Sequence, residues 1–312
     1  MTATDPATGP VTPTAHTSAR ALAWQRRRRA LRSSWTIFRH NRQAMIGLII
    51  LLATVAVALL SPFLVSPDDL DPATATGTPN SPPSPGYPLG PDNFGRSVLD
   101  LVIAGTRVSL MVGVTATIGA VFIGALVGLV SGFYGGRAID KALNALTDWF
   151  LVIPWLVLAI ALAAILGPTI WNIVAVIAIT SWATTARLVR AQTLSVRNLS
   201  YIERARVLGA SDWKLITRHI LPNVWPVIFA NTVLTVSIAI LSETTLAILG
   251  LGPADAISWG RIIEEAFNAG AMTNGYWWWM IPPGVAIVVV CLAFSMCGHA
   301  LDEILNPKLR RR

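Results

Sequence analysis

The sequence predicts an all-α polytopic membrane protein of about six transmembrane helices, joined on one side by short cytosolic helices. Three observations predict it. Apolar residues make up 54% of the 312 positions and charged residues only 13%, too oily a composition for a chain whose whole surface meets water. The apolar residues gather into six runs, each about 20 residues or longer, which is the length a helix needs to cross roughly 30 Å of hydrocarbon. No ten-residue alternation of apolar and polar side chains marks the strands of a membrane barrel.

Taken in chain order, residues 1–37 read as a disordered basic cytosolic tail, rich in Thr, Pro and Ala and ending in the run Arg26, Arg27, Arg28 and Arg29. The first apolar run, Ala44 to Leu64, is longer than a signal-peptide core and lacks a small-x-small cleavage site, so it is expected to stay as an anchor. The arginine run is only superficially like a twin-arginine export signal. An extracytoplasmic loop follows over 65–107. Its stretch from Ser66 to Gly95 is proline-rich and carries Asp68, Asp69 and Asp71, which marks it as exposed and partly mobile. The other five spans are Val108 to Tyr134, Leu143 to Leu166, Thr169 to Leu188, Trp225 to Leu251 and Trp278 to Ala300. Residues 38–312 thus form one membrane domain.

Orientation follows from the basic residues. With the N-terminus in the cytosol, 21 of the 24 Lys and Arg fall on the cytosolic side, and only Arg96, Arg107 and Arg261 lie outside. The positive-inside rule therefore puts both termini in the cytosol of a cell-membrane protein. The same asymmetry accounts for the net charge of +8, which removes the reason to expect a nucleic-acid partner.

The longest polar stretch between spans, 190–222, is patterned rather than linker-like. Ser200 and Glu203 have capping-box spacing, so a helix is expected to begin there. Gly209 suits a left-handed closing residue. Ser211 or Asp212 is placed to cap a second helix, in which Trp213, Ile216 and Ile220 recur at helical spacing until Pro222 opens the next turn. Physics alone leaves two readings of these amphipathic helices open, one lying on anionic lipid and one docking a protein.

Glu203, Ala205 and Gly209, followed by Leu221 and Pro222, resemble the loop signature of binding-protein-dependent ABC importer permeases, with Arg204 and His219 departing from it. The segment LGPDNFGRSVLDLVIAGTRVSL from Leu89 to Leu110, the run ETTLAILGLG from Glu243, the Ser258-Trp259-Gly260 triplet and the tail from Leu301 to Arg310 are similar to the C-type subunit of dipeptide and oligopeptide permeases. FRHNRQAMIGLIILL from Phe38 is similar too. The resemblance implies that the loop forms coupling helices that dock on an ATPase, with Glu203, Ala205, Gly209, Ala210, Ser211, Trp213, Leu221 and Pro222 as the coupling residues. Ile202, Ala205, Leu208 and Trp213 would offer the apolar docking face. It implies as partners a homologous B-type permease, two ATPase subunits or one fused ATPase, an extracytoplasmic solute-binding protein and membrane lipid. ATP and Mg would sit on the ATPases, with no cofactor on this chain. Nickel complexes, glutathione and opines are solutes of similar systems.

The residue inventory agrees with a non-catalytic subunit. None of the three lysines, Lys141, Lys214 and Lys308, follows a glycine as a phosphate-cradling loop requires. No nucleophile–base–acid set and no metal-binding spacing stands out; His219 and His299 lack partners for either. An ion-gradient-driven transporter would show broken helices and several intramembrane acids; within the spans, Glu243 is nearly alone. Glu243 lies about 27 Å above Trp225 along a helix, near the outer mouth, where a structural ion pair or helix-end hydrogen bond competes with a place in the solute path. Gly124, Gly128 and Gly132 suggest close helix packing. Asp140 and Asp148 are expected to pair with Arg137 or Arg187. Cys291 and Cys297 read as apolar packing residues on different faces of one helix.

Overall fold

The computed structural model describes residues 35–253 and 256–305; residues 1–34 of the tail expected over 1–37 and the last residues, 306–312, lie outside the described residues, while 35–37 are helical rather than disordered. Residues 35–40 are helical, and α1 (Arg42–Leu64) follows, capped by the Asn41 side chain, which accepts from the Ala44 N–H. A one-turn helix, α2 (Pro67–Leu70), opens the long loop. Then come α3 (Val98–Phe133), α4 (Ala138–Val152), α5 (Trp155–Leu166), α6 (Ile170–Arg197) and the short α7 (Ser200–Val207). The chain continues through α8 (Asp212–Leu215), a π-helical turn (Ile216–Ile220), α9 (Leu221–Ile248), α10 (Trp259–Asn268), α11 (Ala271–Asn274) and α12 (Trp277–Leu305). Among the described residues the only β pairing is two isolated bridges, both in the long loop.

Five helical stretches are long and apolar enough to span, and the count reaches six only if the broken pair α4–α5, bent by 90°, is taken as one span. The apolar run from Leu143 to Leu166 predicts a single span there. The break has a local cause: Pro154 disfavours helical geometry at the residue before it, and Ile153 is extended at φ −70°, ψ 126°. Elsewhere the helices run past the apolar runs. The second spanning helix, α3, begins at Val98 rather than Val108 and has 36 residues, about 54 Å at 1.5 Å per residue, so it projects beyond the hydrocarbon. The helix containing the fifth run starts before Trp225, because α8, the π turn and α9 form one continuous rod from Asp212 to Ile248.

Helix α3 is the spine. An added Cβ at Gly124 would come within 2.6 Å of the Trp182 carbonyl, at Gly128 within 2.6 Å of the Ala186 carbonyl, and at Gly132 within 2.6 Å of Thr193. The small-residue stripe therefore lets α3 lie directly on α6 for two full turns. Gly113 does the same against Ile240 of α9. Helix α12 packs on α1 and α9 through Gly298, which faces Leu234, while the Cys297 thiol reaches towards the Ala44 carbonyl at 3.7 Å. Both cysteines are free, and Cys297 is buried in an apolar cluster with Phe38, Ala44 and Ala300.

Two polar clamps hold the ends. At the basic end, Asp140 accepts from Arg190 Nε and Nη2 at 2.7 and 2.9 Å, from Ser131 at 2.6 Å and from the Gly136 N–H at 2.7 Å. Asp140 thus pairs with Arg190, not with Arg137 or Arg187; Arg190 follows Arg187 by one helical turn and is the arginine that α3–α6 packing brings over Ser131. Asp148 does meet Arg187, at 2.6 Å. At the opposite end the long loop is organised rather than only exposed. Asp92, fully buried, accepts from the Phe94 and Arg96 N–H groups and from Arg96 Nε, and Arg96 Nη2 donates to Glu265 of α10 at 2.7 Å.

Candidate functional site

The loop from Arg190 to Pro222 is built around one turn. Helix α7 closes with the Ala210 N–H donating to the Ala205 carbonyl (3.1 Å) and the Gly209 N–H donating to the Arg206 carbonyl (3.0 Å). This paired closure needs a left-handed residue between the helix and the next segment, and Gly209 supplies it at φ +83°. Ala205 and Ala210 sit at the two ends of the longer bond and pack together against the neighbouring core. Their small size and the intervening glycine therefore have a common geometric cause. Ser211 then caps α8, its hydroxyl accepting from the Lys214 N–H at 3.4 Å.

The expected capping box does not form. Leu199, not Ser200, is the N-cap of α7, with no side-chain cap bond. Glu203 stands exposed in the first turn, and its carboxylate has no hydrogen bond or ion pair among the described residues. The register is set by Ile202, which is fully buried with Leu215, Ile220 and Val224 beneath the turn.

Ile202 is consequently not part of any docking face, and Ala205 is only partly exposed. Leu208 and Trp213 are exposed as expected, at 86% and 75%, and Val207, not anticipated, joins them at 87%. These three flank Gly209, whose missing Cβ would meet nothing within 4 Å. The result is an apolar tip on a polar collar. Position, not periodicity, distinguishes Val207: it is the last helical residue before the glycine turn.

The collar is fixed to the spine. Arg197 Nη1 donates to the carbonyls of Gly132, Phe133 and Gly135 at 3.2, 2.8 and 3.3 Å, binding the C-terminal end of α3 and the turn after it, where helix carbonyls lack intrahelical donors. The Arg206 guanidinium lies 5.6 Å over the Phe133 ring. Tyr134 donates to Asp212 at 3.0 Å, a bond that holds its phenol pKa above the ordinary value. Asn223 donates to the Tyr201 hydroxyl and to the His219 carbonyl, so His219 takes part through its backbone.

Pro222 does not end the second short helix. The π turn accommodates it: the Leu221 N–H donates to the Ile216 carbonyl, five residues back, and Pro222, which has no N–H to donate, follows directly where the π turn passes into α9. Leu221 is half-buried in the same core. Glu243, far from this loop, is 3% exposed near the end of α9; it lies beside the Ser258 hydroxyl, and its Oε2 has no hydrogen-bond partner among the described residues. Among the described residues no group of three or more His, Cys, Asp or Glu side chains is placed to hold a metal.

Residues 121–311 match the family described as binding-protein-dependent transport system inner membrane component. Residues 30–83 match the N-terminal transmembrane domain of oligopeptide transport permease C. The chain is 35% identical to a dipeptide transport system permease protein of Bacillus subtilis, over 89% of this chain and 86% of that one. It is 34% identical to an oligopeptide transport system permease protein of the same organism, over 88% of each. It is 33% identical to a glutathione transport system permease protein of Pectobacterium atrosepticum, over 89% of this chain and 91% of that one.

Proposed function

The chain belongs to the family of binding-protein-dependent transport system inner membrane components, as a permease subunit of the peptide type, and we propose that it forms half of the pathway of an ATP-driven importer of dipeptides or oligopeptides. In this reading a homologous B-type permease supplies the other half, and two ATPase subunits, or one fused ATPase, bind ATP and Mg. An extracytoplasmic binding protein delivers the solute. The protein resides in the cell membrane with both termini in the cytosol, in keeping with its basic-residue asymmetry.

The observation that carries the reading is the apolar tip Val207–Leu208–Trp213 around Gly209. Three large apolar side chains standing nearly free in water are unfavourable unless a partner covers them, and burying each fully is worth about 1.5–3 kcal/mol. A groove on an ATPase subunit is the fitting partner for two short helices of fixed mutual angle. The tip's rigid seat on α3 and α9 gives a motion of that groove a route to the spanning helices.

The experiment is peptide uptake and peptide-stimulated ATP hydrolysis by the complex reconstituted in vesicles with its binding protein. Both are expected with the intact chain, and both are expected to fall together in a Leu208→Asp, Trp213→Asp variant that still reaches the membrane. Uptake that persists without ATP would refute the reading. The glutathione relative favours a second solute of the same chemistry, a tripeptide, to be included in the same assay.

A further inference from the structure

Broken helices are costly inside a membrane unless something satisfies the freed backbone. At the 90° bend between α4 and α5, Pro154 has no N–H to offer the Phe150 carbonyl. Among the described residues, the carbonyls of Leu151 and Val152 receive no backbone hydrogen bond from outside their helix either. The bend opens on a cleft of about 560 Å³ walled by α4, α5, α6 and α9. Its polar side-chain groups are the hydroxyls of Thr180, Ser181 and Thr184 on α6 and of Ser242 and Thr245 on α9, together with the Trp155 indole N–H on α5, and no charged side chain lines it.

The hydroxyls have a definite polarity. Thr180 donates to the Val176 carbonyl (2.9 Å), Thr184 to Ser181 (3.0 Å) and Thr245 to Leu241 (2.7 Å). Each proton is tied to its own helix, so what these threonines present outward is oxygen lone pairs. With the carbonyls of Phe150 and Leu151, two residues of its wall, the cleft offers mostly neutral acceptors, beside the Trp155 indole N–H as a donor. One turn from Thr184 towards the basic end, the Arg187–Asp148 pair is 60% and 46% exposed. At the cytosolic end of the span, an ion pair this exposed faces water or protein rather than acyl chains. Both features mark this side of the bundle as turned away from lipid.

The geometry points to the cleft at the α4–α5 bend as a solute-contacting wall of the translocation pathway, in which Thr180, Thr184 and Thr245 and the free carbonyls accept from the main-chain N–H groups of a passing peptide. This inference rests on the permease reading above and adds to it the atoms that touch the solute. Neutral acceptors suit conduction: they replace water on an amide without holding it as a carboxylate would hold an ammonium. Because they address the backbone, side-chain identity enters only through the apolar walls, Phe150 and Trp155.

Two arms test it in the reconstituted complex, with trialanine and its N-methylated analogue, which lacks internal N–H donors, as probes. In a Cys291→Ala, Cys297→Ala background, Thr184→Cys is expected to react with a hydrophilic thiol reagent, and trialanine during turnover is expected to slow the reaction. The Thr180→Val, Thr184→Val variant is expected to lower trialanine uptake about fivefold, in line with the loss of a net hydrogen bond, and to shrink the preference for trialanine over the analogue. An unreactive Thr184→Cys, reactivity that trialanine leaves unchanged, or an unaltered preference in the valine variant overturns the inference while uptake by the intact chain upholds the permease reading. Absence of peptide uptake by the intact chain overturns both.

Discussion

Gly209 concentrates the physical argument at the scale of one residue. At φ +83° any side chain with a Cβ is strained by about 1 kcal/mol, although space around it within the chain is open. Asparagine tolerates that conformation better than other residues. Gly209→Asn is therefore expected to keep more ATPase on the permease than Gly209→Val, and Gly209→Asp, which adds charge to the apolar tip, to retain least; co-purification of the complex measures the order. Equal retention in all three would separate the turn from docking. Glu203→Ala is expected to leave thermal stability unchanged, since the carboxylate makes no bond within the described chain, and to reduce peptide-stimulated ATP hydrolysis. The glycine turn was legible from spacing alone. The cap was not: burying Ile202 is worth about 1.5–3 kcal/mol against roughly 1 for a serine cap, so burial prevails and moves the helix start by one residue.

Among the elements, the α3–α6 pair depends on both its glycine stripe and its clamp. Arg190 and Asp140 bring α6 against the start of α4, with the Asp140 side chain only 5% exposed. Removing the arginine leaves a buried carboxylate with the Ser131 hydroxyl and the Gly136 N–H as its remaining donors. Arg190→Ala is expected to destabilise the protein by about 2–4 kcal/mol, read as a lower midpoint of thermal unfolding in detergent, whereas the exposed Arg187→Ala should cost under about 1 kcal/mol. Similar losses in the two variants would show that burial does not set the difference. The stripe Gly124, Gly128, Gly132 was visible in the sequence because its four-residue repeat is local. The identity of Asp140's partner was not, since it depends on how two helices align over 50 positions of chain. Pro154 was visible and under-read: inside an apolar run long enough to span, composition outweighed the one residue that breaks the run.

For the whole molecule, five of the six apolar runs survive in order as helices long enough to span, because hydrocarbon thickness fixes their minimum length, while the run from Leu143 to Leu166 divides into α4 and α5. Their ends do not follow from hydropathy; caps, clamps and prolines place them. Asp92, Arg96 and Glu265 join the long loop to α10 across 169 positions, which no window along the sequence brings together, and so a loop expected to be mostly exposed encloses a fully buried carboxylate. The proposed orientation has its own test. With the native cysteines replaced, Ser211→Cys, on the exposed start of α8, is expected to resist a membrane-impermeant thiol reagent in intact cells and to react in inverted vesicles. Labelling from outside would invert the topology.

The π turn at Ile216–Ile220 makes Asp212–Ile248 a single shaft of 37 residues, about 55 Å long. Its two ends are therefore phased, like keys cut on one axle. Trp213 and Thr245 lie on one continuous helix, so a displacement at one is passed to the other, with the missing N–H of Pro226 as the place where the shaft can bend. A π turn holds one residue more than the helix around it requires. Deleting Thr217 is expected to restore ordinary helix locally with little loss of stability, while altering the local pitch of the shaft. Uptake per ATP hydrolysed is the quantity that would register the change, and a variant that is stable but wastes ATP would locate timing, rather than attachment, in this turn.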